Sequence, residues 1–286
     1  MTERSLTVES DGIRLAVREW PAQGPSILLL HGLASSSHIF DVMAPKLAGD
    51  FRVVAYDQRG HGESSKPGSG YGFERTSGDA AAVIRKLHLG RPLVAGHSWG
   101  ANVALELAVR HPRAVGRLVL VDGGFMPMRD RMDWLSAREL LAPPPIAGMH
   151  IDDFLTMGRE MTKGSLRFTP AVQGVFLSLM HVDAEGRIRP RLSRQNHLRI
   201  LRALWEQDPL QLLRRVRVPT LVIAARPKNA SGADAMFLEA KRAGEAAVRA
   251  IGSPVRFEWI EGIHDVPLQR PEALARRIRR FAAEVG

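Results

Sequence analysis

The chain contains no cysteine. That absence excludes a disulfide framework, a thiol nucleophile, a thiolate zinc site and an iron–sulfur cluster together. No apolar run approaches the roughly 18 residues of a membrane span. The opening, MTERSLTVESDG, lacks the basic start and long apolar stretch of a secretory leader, so a cytoplasmic protein is expected. Internal repeats, low-complexity tracts and a phosphate-cradling glycine loop are also missing. What is present is a globular composition: 286 residues, 45% hydrophobic and 24% charged. Such a chain is neither disordered nor a coiled coil and can bury a sizeable core.

The net charge of +10 invites a nucleic-acid or membrane partner, but its distribution argues against both. Base exceeds acid by 2 in residues 1–124, by 2 in 125–208 and by 6 in 209–286. The last excess rests largely on Arg276, Arg277, Arg279 and Arg280, interleaved with Leu274, Ile278 and Phe281. That pattern is a solvated face of an amphipathic helix, so neither nucleic acid nor membrane is expected as a partner.

Short, near-continuous apolar runs recur at 26–30, 51–55, 92–95, 117–121, 220–224 and 256–260. These have the character of parallel strands covered on both faces. Helical spacing of three and four fills 76–87, 100–111 and 271–285, and alternating residues over 5–18 predict an antiparallel hairpin at a sheet edge. The fold class is therefore α/β: a mostly parallel twisted sheet with helices on both faces. Between about 123 and 208 the alternation stops. Pro143-Pro144-Pro145 and helical fragments at 152–161 and 194–205, without a convincing buried strand, predict a helical insertion ahead of the late strands. Three parts follow: a first core portion over 1–124, an inserted cap over 125–208 and a second core portion over 209–286.

The strongest chemical signal is Gly96-His97-Ser98-Trp99-Gly100, directly after one strand and before one helix. A serine on so tight a turn tolerates only small neighbours, and the helix behind it supplies free N–H groups and a positive pole. The hydroxyl then needs a base. Of the ten histidines, His264 stands out, because Glu261-Gly262-Ile263-His264-Asp265 follows the last strand and precedes the last helix.

On these residues, together with His31-Gly32-Leu33 and Asp57-Gln58-Arg59-Gly60-His61-Gly62-Glu63-Ser64, nearly the whole chain resembles the α/β-hydrolase fold family. The resemblance implies an α/β-hydrolase fold with Ser98 as nucleophile and His264 as base. It also implies an oxyanion hole formed by the backbone N–H groups of Leu33 and Trp99, no metal and no organic cofactor. The Asp57–Ser64 loop is then mainly structural, with His31 and His97 bracing loops. Serine argues against the aspartate-nucleophile dehalogenases and epoxide hydrolases of this fold, so an acyl carbon is the target.

The acid departs from the common pattern. Where the family usually keeps an aspartate after the strand at 220–224, this chain reads Ala225-Arg226-Pro227-Lys228, and a lysine cannot accept the imidazole N–H. Asp122, ending the preceding strand, resembles the arrangement of haloalkane dehalogenases and zearalenone-lactone hydrolases. Its reach is sufficient, since neighbouring strands end about 5 Å apart. Asp234 is the alternative if the loop after Ala225 is remodelled, and a site with no working acid is the third possibility. Asp265, beside His264, is badly placed.

In the insertion, Met126, Met128, Trp134, Met157, Met161, Phe168, Phe176, Met180 and Trp205 supply an apolar cover. Of these, Trp134, Met157, Met161, Phe168 and Trp205 are the expected pocket residues, suited to an apolar acyl or ring-bearing substrate. The expected activity is a serine hydrolase of the carboxylesterase or lactonase type, acting on a small-molecule ester or lactone. The alternatives are an aminopeptidase of the proline-iminopeptidase type, needing acidic cap residues among Asp130, Asp133, Asp152 and Asp153, and a non-catalytic ligand-binding relative, supported by Lys228. The strand edges and cap of such enzymes often pair, which makes a homodimer the macromolecular partner to expect.

Overall fold

The computed structural model describes residues 2–230 and 232–284, the side chains of Ala233 and Asp234 excepted. Ten strands occur among them: β1 Arg4–Ser10, β2 Ile13–Trp20, β3 Ser26–Leu30, β4 Arg52–Tyr56, β5 Leu93–His97, β6 Arg117–Val121, β7 Met180–Val182, β8 Ile188–Pro190, β9 Thr220–Arg226 and β10 Val255–Glu261. The helices are α1 Ala44–Leu47, α2 Phe73–Lys86, α3 Trp99–Arg110, α4 Trp134–Leu141, α5 Ile151–Thr162, α6 Pro170–Ser178, α7 Arg194–Glu206, α8 Pro209–Leu213, α9 Ala233–Ile251, α10 Val266–Gln269 and α11 Pro271–Ala283.

Eight strands form one sheet in the order β1-β2-β4-β3-β5-β6-β9-β10. β1 and β2 close an antiparallel hairpin over Asp11 and Gly12, whose φ of 49° and 73° is the left-handed pair a two-residue turn requires. β2 lies antiparallel to β4, and from β4 to β10 every neighbour is parallel. Alternate side chains enter opposite layers, as the pleat dictates. Leu28, Leu30, Val54, Val94 and Leu120 pack against α2, α3, α8 and α9. Ile27, Leu29, Val53, Ala95 and Val119 pack against α1 and α11. With both faces covered, these strands are apolar throughout, which is why their sequences show no alternation.

The segment between β6 and β9 carries α4–α8 and a small cluster around Phe154, Met180 and Ile188. It also holds the two-stranded pair β7–β8, where the sequence predicted no strand. Three-residue strands with mostly exposed or half-buried side chains are too short to leave a periodicity. The long helix α9 was likewise not foreseen, and it sets one wall of the site. Among the described residues no helix is long and apolar enough to cross a membrane.

Candidate active site

β5 runs straight into α3, and Ser98 is the hinge between them, with φ 54° and ψ −124°. A non-glycine residue in that region carries strain of order 1–3 kcal/mol and persists only where its surroundings enforce it. Here they do. A Cβ on Gly96 would meet the Gly100 carbonyl oxygen at 2.2 Å, one on Gly100 would meet the Leu30 oxygen at 2.2 Å, and one on Gly123 the Ser98 oxygen at 2.2 Å. All three obstacles are backbone, so only glycine fits. The Ser98 N–H donates to the Val121 carbonyl at 2.8 Å, tying the turn to the end of β6.

His264 lies on the loop after β10. Its Nε2 is 3.0 Å from Ser98 Oγ and its Nδ1 is 2.6 Å from Asp122 Oδ2. Asp122, at the end of β6 with φ 49°, is fully buried. Its Oδ1 accepts from the Ala225 N–H at 2.8 Å, and its Oδ2 also accepts from Lys241 Nζ at 2.8 Å. Burial alone would raise the Asp122 carboxyl. The His264 hydrogen bond and charge, followed by Lys241, instead hold it below the usual carboxylate range. The His264 side chain is 53% exposed; partial desolvation pulls it down, but the hydrogen bond and charge of Asp122 prevail and its imidazole titrates above the ordinary value.

The loop is braced from below. His97 Nε2 donates to the His264 carbonyl at 2.9 Å, and its ring sits 4.9 Å from the His264 ring. Burial, then the charge of His264, pushes His97 down to about 4, so it stays neutral. The Ile263 N–H donates to Gln269 Oε1 at 2.8 Å.

Leu33 lies on the loop after β3, and Trp99 is the first residue of α3, immediately after Ser98. A Cβ on Gly32 would sit 3.0 Å from the Ser98 Cβ, so the His31–Leu33 turn lies directly against the hydroxyl. Among the described residues, neither the Leu33 nor the Trp99 backbone N–H has a protein acceptor. Such free N–H groups beside a nucleophile suit an oxyanion. Both segments are held by buried histidines. His31 Nε2 accepts from the Gln58 N–H at 2.9 Å, and His61, stacked 5.4 Å from the Trp99 ring, accepts from the Ala34 N–H at 3.3 Å. Burial pushes His61 to about 3. Arg59 grips Asp79 at 2.6 Å and the Gly70 carbonyl at 2.9 Å, giving the Asp57–Ser64 loop its shape.

A cavity of about 440 Å³ opens onto Ser98 and His264. Met126, Met128, Leu141, Leu201, Leu204, Phe237 and Ile263 make most of its wall apolar, and Asn102, Asp122, His197 and Lys241 add polar side chains to it. Larger surface hollows of about 750 and 630 Å³ lie beside α2 and α3, away from the serine.

The five expected pocket residues are not in this wall. Trp134 and Trp205 pack edge to face at 6.1 Å under Arg202, and Trp205 Nε1 donates to the Met132 carbonyl at 2.9 Å. Met157 joins the small Phe154–Ile188 cluster and Phe168 packs on Phe176. Met161 is 73% exposed. The large side chains of this segment pack on one another instead. Lys228 is exposed and lies 3.5 Å from Glu261, outside the Ser98–His264–Asp122 line. The Asp234 side chain lies outside the described residues. Asp130, Asp133, Asp152 and Asp153 are exposed, and among the described residues Asp122 is the only carboxylate in the cavity wall.

Sequence reasoning missed Lys241, Asn102 and His197. Asn102 bridges the Gln207 side chain at 2.6 Å and the Gly124 N–H at 3.2 Å, and His197 Nε2 donates to the Leu141 carbonyl at 2.9 Å. For Lys241 a signal existed. Phe237, Lys241, Gly244 and Val248 follow a 4-3-4 spacing, which places a charge on the buried stripe of a helix.

A family model for the alpha/beta hydrolase fold matches residues 25–144. The chain is 38% identical over 136 residues to 2-(acetamidomethylene)succinate hydrolase of Mesorhizobium japonicum, covering 47% of this chain and 48% of that protein. It is 39% identical over 110 residues to a serine hydrolase-like protein of Danio rerio, covering 37% and 34%. The chain thus spans about half the length, or less, of the curated relatives it matches. Among solved structures, E-2-(acetamidomethylene)succinate hydrolase superposes with a TM-score of 0.79 at 26% identity, over 99% of this chain and 100% of that one. The enol-lactonase of Burkholderia xenovorans LB400 superposes at 0.67 with 20% identity, over 98% and 100%, a likeness of fold.

Proposed function

We propose that this chain, which matches a family model for the alpha/beta hydrolase fold over residues 25–144, is a serine hydrolase of that family that cleaves a carboxylic ester or lactone through an acyl-enzyme on Ser98. The observation that carries the reading is one line of hydrogen bonds: Ser98 Oγ to His264 Nε2 at 3.0 Å, and His264 Nδ1 to Asp122 Oδ2 at 2.6 Å. It ends in a cavity with two free backbone N–H groups.

As Ser98 Oγ attacks the acyl carbon, His264 Nε2 takes the hydroxyl proton. Asp122 keeps the other imidazole proton on Nδ1 and stabilises the imidazolium. Negative charge moves to the carbonyl oxygen, where the Leu33 and Trp99 N–H groups receive it. The tetrahedral intermediate collapses and His264 returns its proton to the leaving alkoxide. Water, deprotonated by His264, then attacks the acyl-enzyme, and Ser98 leaves with the proton restored. Every step uses this chain's residues and water. Residues 125–208 act as a cap over the core portions 1–124 and 209–286, and their Met126, Met128 and Leu141 cover an apolar acyl group.

The test is hydrolysis of p-nitrophenyl esters across acyl lengths by wild type and Ser98→Ala. The reading expects turnover in wild type that falls by about six orders of magnitude, to background, in the variant. Undiminished turnover in Ser98→Ala would contradict it.

A further inference from the structure

Lys241 is buried to 7% exposure on α9, beside a carboxylate that already has the partners a serine–histidine–aspartate line needs. Its Nζ donates to Asp122 Oδ2 at 2.8 Å and to the Ala225 carbonyl at 2.9 Å. The Ala225 N–H donates to Asp122 Oδ1 at 2.8 Å. One residue of β9 and one lysine therefore grip the carboxylate from both sides. The lysine and His264 meet on the same oxygen.

The charges have a consequence. With carboxylate and imidazole alone, the pair is negative at rest and neutral once His264 takes the serine proton. With an ammonium on the shared oxygen it is neutral at rest and positive afterwards. A carboxylate that divides its field between two donors holds an imidazolium less firmly than one that serves a single donor. Among the described residues, the other groups that act on His264 are His97, beneath its ring at 4.9 Å and neutral, and Asp265, next to it in the chain, whose charge favours the imidazolium. Lys241 is a cation that opposes Asp122 and Asp265.

We propose that Lys241 is a positioning residue of the Ser98 site, locking the Asp122 carboxylate onto His264 while weakening its hold on the imidazolium. It thereby keeps His264 free to act as a base at lower pH than Asp122 alone would permit. The proposal rests on the reading of Ser98 as the nucleophile.

The experiment follows the rate of fluorophosphonate labelling at Ser98 between about pH 5 and 9 in wild type, Lys241→Met and Lys241→Gln. Both variants lose the charge, and Gln retains a polar group for the Ala225 carbonyl if Met fails to fold. The expected result is an acidic limb shifted upward by about one pH unit in either folded variant, so that labelling on the acidic side falls about tenfold against wild type. A folded variant whose limb coincides with that of wild type would overturn the proposal and leave the nucleophile reading intact. A lysine needed only for packing or hydrogen bonding gives that result in Lys241→Gln. A wild type that does not label would overturn the nucleophile reading, and the proposal with it.

Discussion

Asp122→Asn exchanges one atom at the most heavily used carboxylate of the site. Three donors converge on it: the Ala225 N–H at 2.8 Å, His264 Nδ1 at 2.6 Å and Lys241 Nζ at 2.8 Å. An asparagine offers one acceptor oxygen and an NH₂. With the oxygen kept toward Ala225, the NH₂ faces two donors, and His264 escapes by moving its proton to Nε2. The imidazole then presents N–H, not a lone pair, to Ser98 Oγ. With the amide turned round, the NH₂ faces the Ala225 N–H and leaves a buried donor unpaired, at about 1–3 kcal/mol. Either way turnover falls by about four orders of magnitude, equivalent to roughly 5.5 kcal/mol of transition-state stabilisation. The lysine adds a second consequence, because a buried ammonium that loses its counter-charge costs about 3–5 kcal/mol. Asp122→Asn therefore melts roughly 5–10 °C below wild type. Ser98→Ala, which strands no buried charge, melts with wild type. Ester turnover and thermal melts on the three proteins check both halves. A turnover within tenfold of wild type, or an unchanged melt, would refute the reasoning.

Other outcomes follow from the same geometry. Because Asp122 holds the His264 imidazole above its ordinary value, kcat/KM rises with pH along an acidic limb centred above about 6.5, and a pH–rate profile of wild type checks it. His61 behaves in the opposite sense: its folded value is depressed to about 3, so on acidification the unfolded chain takes the proton first. Its contribution is fully present above about 6.5 and is lost as the pH falls toward 3, on the order of 4 kcal/mol over that window. Melts across this range fall for wild type and fall less for His61→Gln, whereas a flat wild-type curve would oppose the account. Gly100→Ala drives a Cβ to 2.2 Å from the Leu30 oxygen and is expected to abolish soluble folded protein, while Gly78→Ala, inside α2 with nothing within 4 Å, gains about 0.5–1 kcal/mol in denaturant unfolding.

How much of this was legible in the sequence differs between the core and the rest. Parallel strands buried on both faces leave unbroken apolar runs, so β3, β5, β6 and β9 could be placed within a residue or two. The turn at Ser98 was readable because its glycines are forced by backbone approach at 2.2 Å, a constraint no other residue meets. Lysine at 228 argued that the usual acid position is empty, and the structure brings Asp122, not that position, to His264. Of the expected apolar cover, Met126 and Met128 reach the cavity wall, but the five expected pocket residues do not. Trp134, Trp205 and Phe168 have the spacing of cavity residues and of a small segment core alike, and here they pack on one another. α9 follows a loop the sequence left open, and its buried lysine shows itself only once the helix face is known.

The central claim is that Ser98 is an activated nucleophile. Incubation of wild type with a fluorophosphonate, followed by intact mass and peptide mapping, tests it most directly. The account predicts one adduct per chain on the Ser98 peptide, formed rapidly in wild type and absent in Ser98→Ala. A protein that takes up no label, or takes it up equally after Ser98→Ala, would contradict it.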